Sequence, residues 1–345
     1  MSKSTRILIV YTGGTIGMVK DYKIGALRAF DFSKISSRIP ELEQLDCKID
    51  TVSFDQVIDS SNVTLADMVA IGKIIESNYT TYDGFVVLTG SDTMAYISST
   101  LSFMLENLRK PVIFTGSQLP IGDLRTDAKE NLITAIEVAS AKLDGQPAIC
   151  EVCLYFEYKL YRANRTTKES AEHFEAFVSS NYPPLAESGV HLTFNKPLLY
   201  RPKSFVKELI LRTNLEPDVL VIKIFPGLQE KVLKHLLQTP DLKGVVLETY
   251  GAGNAPSHPW FTRLLSEAIS RGIRIVNVTQ CNGGSVILGH YETSYELKLM
   301  GLINGKDLTT EAALAKLMYL LGAEKELLDF KAVYESSLRG ELTEN

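Results

Sequence analysis

Short apolar runs that end in glycine turns alternate with stretches whose apolar residues recur every three or four positions. Ile7 to Tyr11 runs into Thr12-Gly13-Gly14-Thr15, Phe85 to Leu88 into Thr89-Gly90-Ser91-Asp92-Thr93, and Val112 to Phe114 into Thr115-Gly116-Ser117-Gln118. Unbroken apolar runs of this length predict strands buried on both faces. Between them, Leu65, Met68, Ile71, Ile74 and Ile75 repeat at helical spacing behind Thr64, a residue suited to cap a helix. Further helices are predicted from about Met94 to Leu108, and from the polar loop Leu119–Thr126 through about Leu143. Strand, helix, strand in this order predicts a parallel sheet with right-handed crossovers. If the three glycine-closed strands are neighbours, their carboxyl ends form one hydroxyl-lined rim, the place where open α/β sheets bind ligands.

Other stretches are less regular. Met18 to Arg28 is polar without a clear period and reads as a loop, a lid if it lies beside a site. Thr51 to Phe54 is a short strand before the polar turn Asp59-Ser60-Ser61-Asn62, and Ala148 to Phe156 is strand-like. Pro183-Pro184 and Pro197 to Pro202 punctuate the middle of the chain. The alternation then restarts, with strands at 219–225, 244–249 and 273–278, helices at 230–237 and 260–270, and terminal helices near 311–321 and 325–337. The expected fold class is α/β. Residues 1–195 form a larger N-terminal parallel-sheet catalytic domain, 196–215 a linker, and 216–345 a smaller C-terminal α/β domain.

Composition changes this picture little. The 345 residues are 45% hydrophobic and 22% charged, ordinary for a soluble globular protein. A formal charge of −5 gives no electrostatic reason to expect nucleic acid or a membrane surface as partner. The start leads directly into a strand, without the longer apolar segment of a signal peptide, so the cytoplasm is the expected location. Cys150-Glu151-Val152-Cys153 has C-x-x-C spacing, but on a strand its thiols would face opposite ways, and core cysteines are expected. The five histidines are scattered, and no metal site is expected.

Two common chemistries fit the rim poorly. A dinucleotide turn needs glycine where Thr12 stands, and no acidic residue ends a second strand at the required distance. The nucleophile elbow of a Ser-His-Asp hydrolase, G-x-S-x-G, is not matched by Gly90-Ser91-Asp92. Any single hydroxyl could simply cap a turn. A hydroxyl becomes a nucleophile when a base accepts its proton, and a lysine lowered by burial and held by an aspartate can serve. Asp92 and Lys168, the latter in a basic segment from Lys159, permit a threonine–lysine hydrolase.

Thr12-Gly13-Gly14-Thr15-Ile16-Gly17 resembles the first signature of bacterial-type L-asparaginases, and Thr89 to Ala95 resembles the second. Arg165-Thr166-Thr167-Lys168 is similar to the segment carrying their lysine, and Asp59-Ser60-Ser61 to their substrate-carboxylate turn. Tyr250 to Pro256 and Thr279-Gln280-Cys281 extend the likeness through the second half, and the cytoplasmic type I branch resembles the chain most. The resemblance implies an asparaginase/glutaminase-like fold and hydrolysis of L-asparagine to L-aspartate and ammonia, with neither cofactor nor metal. It implies Thr15 as nucleophile of a β-aspartyl ester, and Ser91, Asp92 and Lys168 as a second, proton-shuttling group. Asp92, Ser91, Asp59, Ser60 and Ser61 would bind substrate, and the chain would form a homodimer or homotetramer. Ser91 stands where the family usually has threonine. Tyr22 is assigned the lid-tyrosine role, with a solvent-exposed loop tyrosine as its other reading. Cys281 falls in a stretch similar to the type I effector region. The alternatives are a glutaminase-asparaginase, the ammonia-supplying subunit of a tRNA-dependent amidotransferase, or a non-catalytic small amino-acid-binding protein. The amidotransferase subunit carries an extra N-terminal domain, whereas this signature starts within a dozen residues of Met1.

Overall fold

The computed structural model describes residues 4–20, 27–29, 39–202, 207–289, 292–323 and 327–344. The chain divides into two compact units, Met1–Leu211 and Arg212–Asn345.

In the first unit, eight strands form one sheet. They are β1 (Thr5–Gly13), β2 (Cys47–Ile58), β3 (Gly84–Leu88), β4 (Val112–Thr115), β5 (Val152–Phe156), β6 (Lys159–Arg162), β7 (Ala186–Ser188) and β8 (Leu192–Phe194). Their spatial order is β8-β7-β6-β5-β4-β3-β1-β2. The five from β2 to β5 run parallel. Beyond them β6, β7 and β8 extend the edge by antiparallel pairing, with tight turns joining β5 to β6 and β7 to β8 and the long segment 163–185 joining β6 to β7. The sheet is therefore mixed, with the parallel part carrying the three glycine-closed ends side by side.

Helices α1 (Leu65–Asn78), α2 (Met94–Met104) and α3 (Ala128–Ser140) make the crossovers. Thr64 caps α1 and exchanges hydrogen bonds with Asp67, so two otherwise unsatisfied N–H groups find acceptors. Ile7, Ile9 and Tyr11 of β1 pack with Leu132, Ala135 and Ile136 of α3 in one buried cluster. Helix α2 is buried along its length; Ser102 and Thr100 donate within it, to the Ser99 and Tyr96 carbonyls, while Ser99 donates outside it to the Ala163 carbonyl.

Some boundaries differ from expectation for physical reasons. The strand expected at 51–54 spans Cys47–Ile58; as the sheet's edge it is half exposed, and its polar residues hide it from an apolar-run reading. The loop expected at 18–28 includes a ribbon, Met18–Lys20 antiparallel to Leu27–Ala29, too short for alternation to register. Helix α2 stops at Met104, because Leu105–Glu106 pairs with Ile210–Leu211. The strand expected from Ala148 begins at Val152; Cys150 and Cys153 are both buried free thiols.

The second unit has a four-stranded parallel sheet ordered β9 (Val219–Lys223), β10 (Gly244–Thr249), β11 (Arg274–Thr279) and β12 (Ile303–Asn304). Its helices are α4 (Glu230–Leu237), α5 (Pro259–Ser270), α6 (Glu292–Leu299), α7 (Thr310–Gly322) and α8 (Phe330–Glu335). Phe261, Leu264 and Leu265 of α5 and Val245 and Leu247 of β10 share its separate core. Helix α6 and strand β12 had no counterpart in the sequence reading. The tail is held by a wholly buried ion pair between Lys316 and Glu341.

Candidate active site

Strands β1, β3 and β4 end on one rim, and glycines let those ends interlock. Gly13 and Gly14 take φ of 140° and 86°. A Cβ on Gly14 would sit 2.4 Å from the Gly90 nitrogen, one on Gly13 2.1 Å from the Ile58 oxygen, and one on Gly90 2.4 Å from Ser60 Oγ. Gly13 thus abuts Ile58 and Gly14 abuts Gly90 through bare backbone, with the Ser60 side chain packed on Gly90, and Thr15 and Ser91 are the residues that follow the touching Gly14 and Gly90.

The hydroxyls divide into two sets. Those just before the glycines are structural: Thr12 Oγ1 donates to the Leu88 carbonyl at 3.0 Å, and Thr115 Oγ1 to that of Tyr155 at 2.8 Å. Of those just after, Ser117 is buried and donates to the Leu119 carbonyl at 2.6 Å, whereas Thr15 and Ser91 are only part-buried. Ser91 and Asp92 stand immediately before α2, where the helix amino terminus favours negative charge.

Lys168 reaches the same place from a distant segment. Ser99 Oγ of α2 donates to the Ala163 carbonyl at 3.3 Å, and Asn164 Nδ2 to Ser102 Oγ at 3.1 Å, pinning the turn before it. Thr167–Lys168 then pairs antiparallel with Phe177–Val178. Lys168 Nζ donates to Ser91 Oγ at 2.8 Å and to Asp92 Oδ1 at 2.7 Å. The Lys168 side chain is 16% exposed and that of Asp92 66%. Ser91 spends its own proton on Gln118 Oε1 at 3.1 Å. For Lys168 to receive that proton, the amine must be neutral and the hydroxyl must turn.

Gln118, for which the sequence suggests no role, anchors the Ser91 hydroxyl to a distant loop. Its Nε2 donates to the carbonyls of His173 at 3.1 Å and Ala171 at 3.4 Å, and its backbone N–H to the Asp127 carboxylate. The available signal was an amide, rather than an apolar residue, after the third Thr-Gly end. Asp59 Oδ1 accepts from the Ser61 N–H at 3.1 Å, Ser60 is buried with its carbonyl accepting from Thr93 Oγ1 at 2.9 Å, and Ser61 is exposed. The turn therefore abuts the Gly90 end, with Asp59 engaged in shaping it. Tyr22 lies outside the described residues. Cys281 is an exposed thiol of the second unit. Among the described residues, no group of three or more His, Cys, Asp or Glu is placed to hold a metal ion.

At the amino end of β5, the end of the sheet away from the rim, Arg162 and Glu151 form a buried pair at 2.5 Å. Burial alone would lower the guanidinium, but the Glu151 charge and hydrogen bond override it and raise Arg162 above its ordinary value. The pair also binds the Leu198 carbonyl and the Tyr200 N–H, tying residues 198–200 to the sheet edge.

Residues 6–200 match the model of the asparaginase N-terminal domain, and residues 218–333 that of the glutaminase/asparaginase C-terminal domain. L-asparaginase 1 of Escherichia coli (strain K12) is 42% identical over 339 residues, 98% of this chain and 98% of that protein. The 60 kDa lysophospholipase of Mus musculus is 40% identical over 366 residues, covering 99% of this chain and 63% of that longer protein. The crystal structure of L-asparaginase I from Vibrio cholerae matches with a TM-score of 0.88 at 40% identity, covering 99% of this chain and all of that one. The chain belongs to the asparaginase family.

Proposed function

We propose that this chain hydrolyses L-asparagine to L-aspartate and ammonia. The observation that carries the reading is the meeting of Lys168 with Ser91 and Asp92 on the rim whose neighbouring turn presents Thr15. Thr15 Oγ attacks the side-chain amide carbon, forming a β-aspartyl ester as the C–N bond breaks and the hydroxyl proton passes to departing ammonia. Backbone N–H groups at the Gly13–Gly14 and Gly90 turns supply donors for the tetrahedral oxyanion. In the second half, Ser91 and Lys168 accept a proton from water as it attacks the ester, and Thr15 leaves with a proton restored. Asp92 holds the lysine and accepts from the substrate α-ammonium, while the Asp59–Ser61 turn receives the α-carboxylate.

The same reading makes the protein a cytoplasmic, type I enzyme acting as a homodimer or homotetramer. Ammonia release from asparagine and from glutamine, for parent and Thr15→Ala, tests the function. Faster release from glutamine would favour a glutaminase-asparaginase or amide-supplying role, and no release from either the small amino-acid-binding alternative. Sedimentation of the purified chain tests the assembly.

A further inference from the structure

Strands β5 and β6 are joined by Glu157 and Tyr158, with Phe156 paired to Lys159 across the turn. Both turn residues are left-handed, at φ of 43° and 70°. Two-residue hairpins of this shape ordinarily carry Asn-Gly, because a larger side chain is strained there. Here the strained turn sets the Glu157 N–H on Asn131 Oδ1 at 3.0 Å and its carboxyl on a cavity of about 730 Å³, shared with Glu169, His173 and Glu175.

That cavity borders residues 169–176, the loop that leaves Lys168 and returns at Phe177. The loop closes on itself through the N–H groups of Glu169 and Ser170, which donate to the Ala176 carbonyl at 2.8 and 3.2 Å. Its Ala171 and His173 carbonyls hold Gln118, whose other end accepts from Ser91. We propose that the Glu157 turn is a pH-sensitive brace for this loop and, through Gln118, a positioning element for the Ser91–Lys168 pair. Its activity readout rests on the asparaginase reading; its structural readout does not.

The groups facing Glu157 are Asp127 and Glu130 from the start of α3, Glu169, His173 and Glu175 from the loop, and Tyr158 and Lys159 in its own hairpin. Burial first, then the charges of Asp127, Glu130 and Glu175, push the Glu157 carboxyl up to about 7. Two of those neighbours are fixed. Asp127 accepts from the Gln118 and Leu119 N–H groups and Asn131 Nδ2, and Glu130 from Tyr155 and Thr134. Glu175 is exposed on the loop. When Glu157 ionises, the repulsion is relieved where the structure yields, at the loop. The sign is explicit: the contribution of Glu157 to the closed loop is complete below its ordinary value of 4.5, declines as pH rises above that, and is gone once pH has passed through about 7.

Amide hydrogen exchange at Glu169, Ser170 and Ala176, corrected for intrinsic rates, tests the brace. Between about pH 6 and 8.5 protection in the parent should fall roughly tenfold, whereas in Glu157→Gln it should stay within about twofold. Glu175→Gln, which leaves the hairpin intact and removes only the weakest of the three neighbouring charges, should lessen the parent's change without abolishing it. The ratio of Glu157→Gln to parent kcat should rise about threefold or more over the same range, with KM little changed. Identical pH dependence of protection in parent and both variants would overturn the brace. A parent that releases no ammonia would remove the asparaginase reading and leave the exchange experiment to decide the inference alone.

Discussion

The parallel strands of both sheets in this molecule end in turns rich in hydroxyl, amide and glycine residues, and the turns do opposite things. In the second unit, Thr249 Oγ1 donates to Asn277 Oδ1 at 2.6 Å, Asn277 Nδ2 to the Gly253 carbonyl at 3.2 Å, and Gln280 Nε2 to the carbonyls of Ile224 and Glu248. Thr249 and Asn277 are wholly buried. These polar groups satisfy one another and hold the turns closed. On the N-terminal rim, Thr12 and Thr115 do the same work one residue before their glycines. Thr15, Ser91, Asp92 and Lys168 remain partly open; Ser91 has spent its proton on Gln118, but Asp92 keeps lone pairs and Lys168 a third N–H for a ligand. Residue type alone does not separate a structural polar cluster from a chemical one; what separates them is whether the hydrogen-bonding capacity is already spent.

Removing Thr15 should break the comparison most severely. Thr15→Ala deletes the proposed nucleophile without touching the interlocked glycines, so turnover should fall by several orders of magnitude while the melting temperature stays near the parent's. Turnover within about tenfold of the parent would return Thr15 to the structural set.

Lys168 comes next. Lys168→Met keeps the stem and removes the amine, and should lose about 10²-fold or more in kcat. Lys168→Arg keeps the charge beside Asp92 but cannot release a proton near neutral pH, so it should fail similarly. If the arginine variant turns over normally, Lys168 contributes charge alone.

In the second unit the same kind of deletion should register in stability. Thr249→Val removes the donor and leaves Asn277 Oδ1 buried without it, at a cost of about 1–3 kcal/mol. Thermal or urea unfolding measures that loss, and ammonia release per folded molecule should be retained at room temperature. A large fall in kcat with unchanged stability would place this cluster among the functional groups instead.

Much of this division was legible in the chain, and its limits have physical causes. Strands β1, β3 and β4 are buried on both faces, so Ile7–Tyr11, Phe85–Leu88 and Val112–Phe114 announce themselves as unbroken apolar runs. Strand β2 sits at the sheet edge and reads as mostly polar. The meeting of Lys168 with Ser91 spans 77 positions, and no local period encodes it; family resemblance suggested it. Gln118 escaped because its amide is identified only by what lies at its two ends. The strain at Glu157 and Tyr158 was invisible, since neither residue type advertises a left-handed turn.

The smallest effect should come from Ser91→Thr, and it sharpens the comparison most finely. Ser91 Oγ is already fixed from two sides, by Lys168 at 2.8 Å and Gln118 at 3.1 Å. Threonine keeps that oxygen, and its methyl must occupy one of the two remaining staggered positions on Cβ. Ser91 is part-buried beside an exposed Asp92, so the methyl has space that a closed core would deny. Overpacking would otherwise cost about 1–3 kcal/mol. Steady-state ammonia release should therefore fall within about threefold of the parent, while Ser91→Ala should lose about 10²-fold because the oxygen itself is gone. Equal activity in Ser91→Ala and the parent would remove this hydroxyl from the chemistry. A folded but inactive Ser91→Thr would show that the pocket is packed around serine, and would move Ser91 toward the closed, structural kind of polar group found in the second unit.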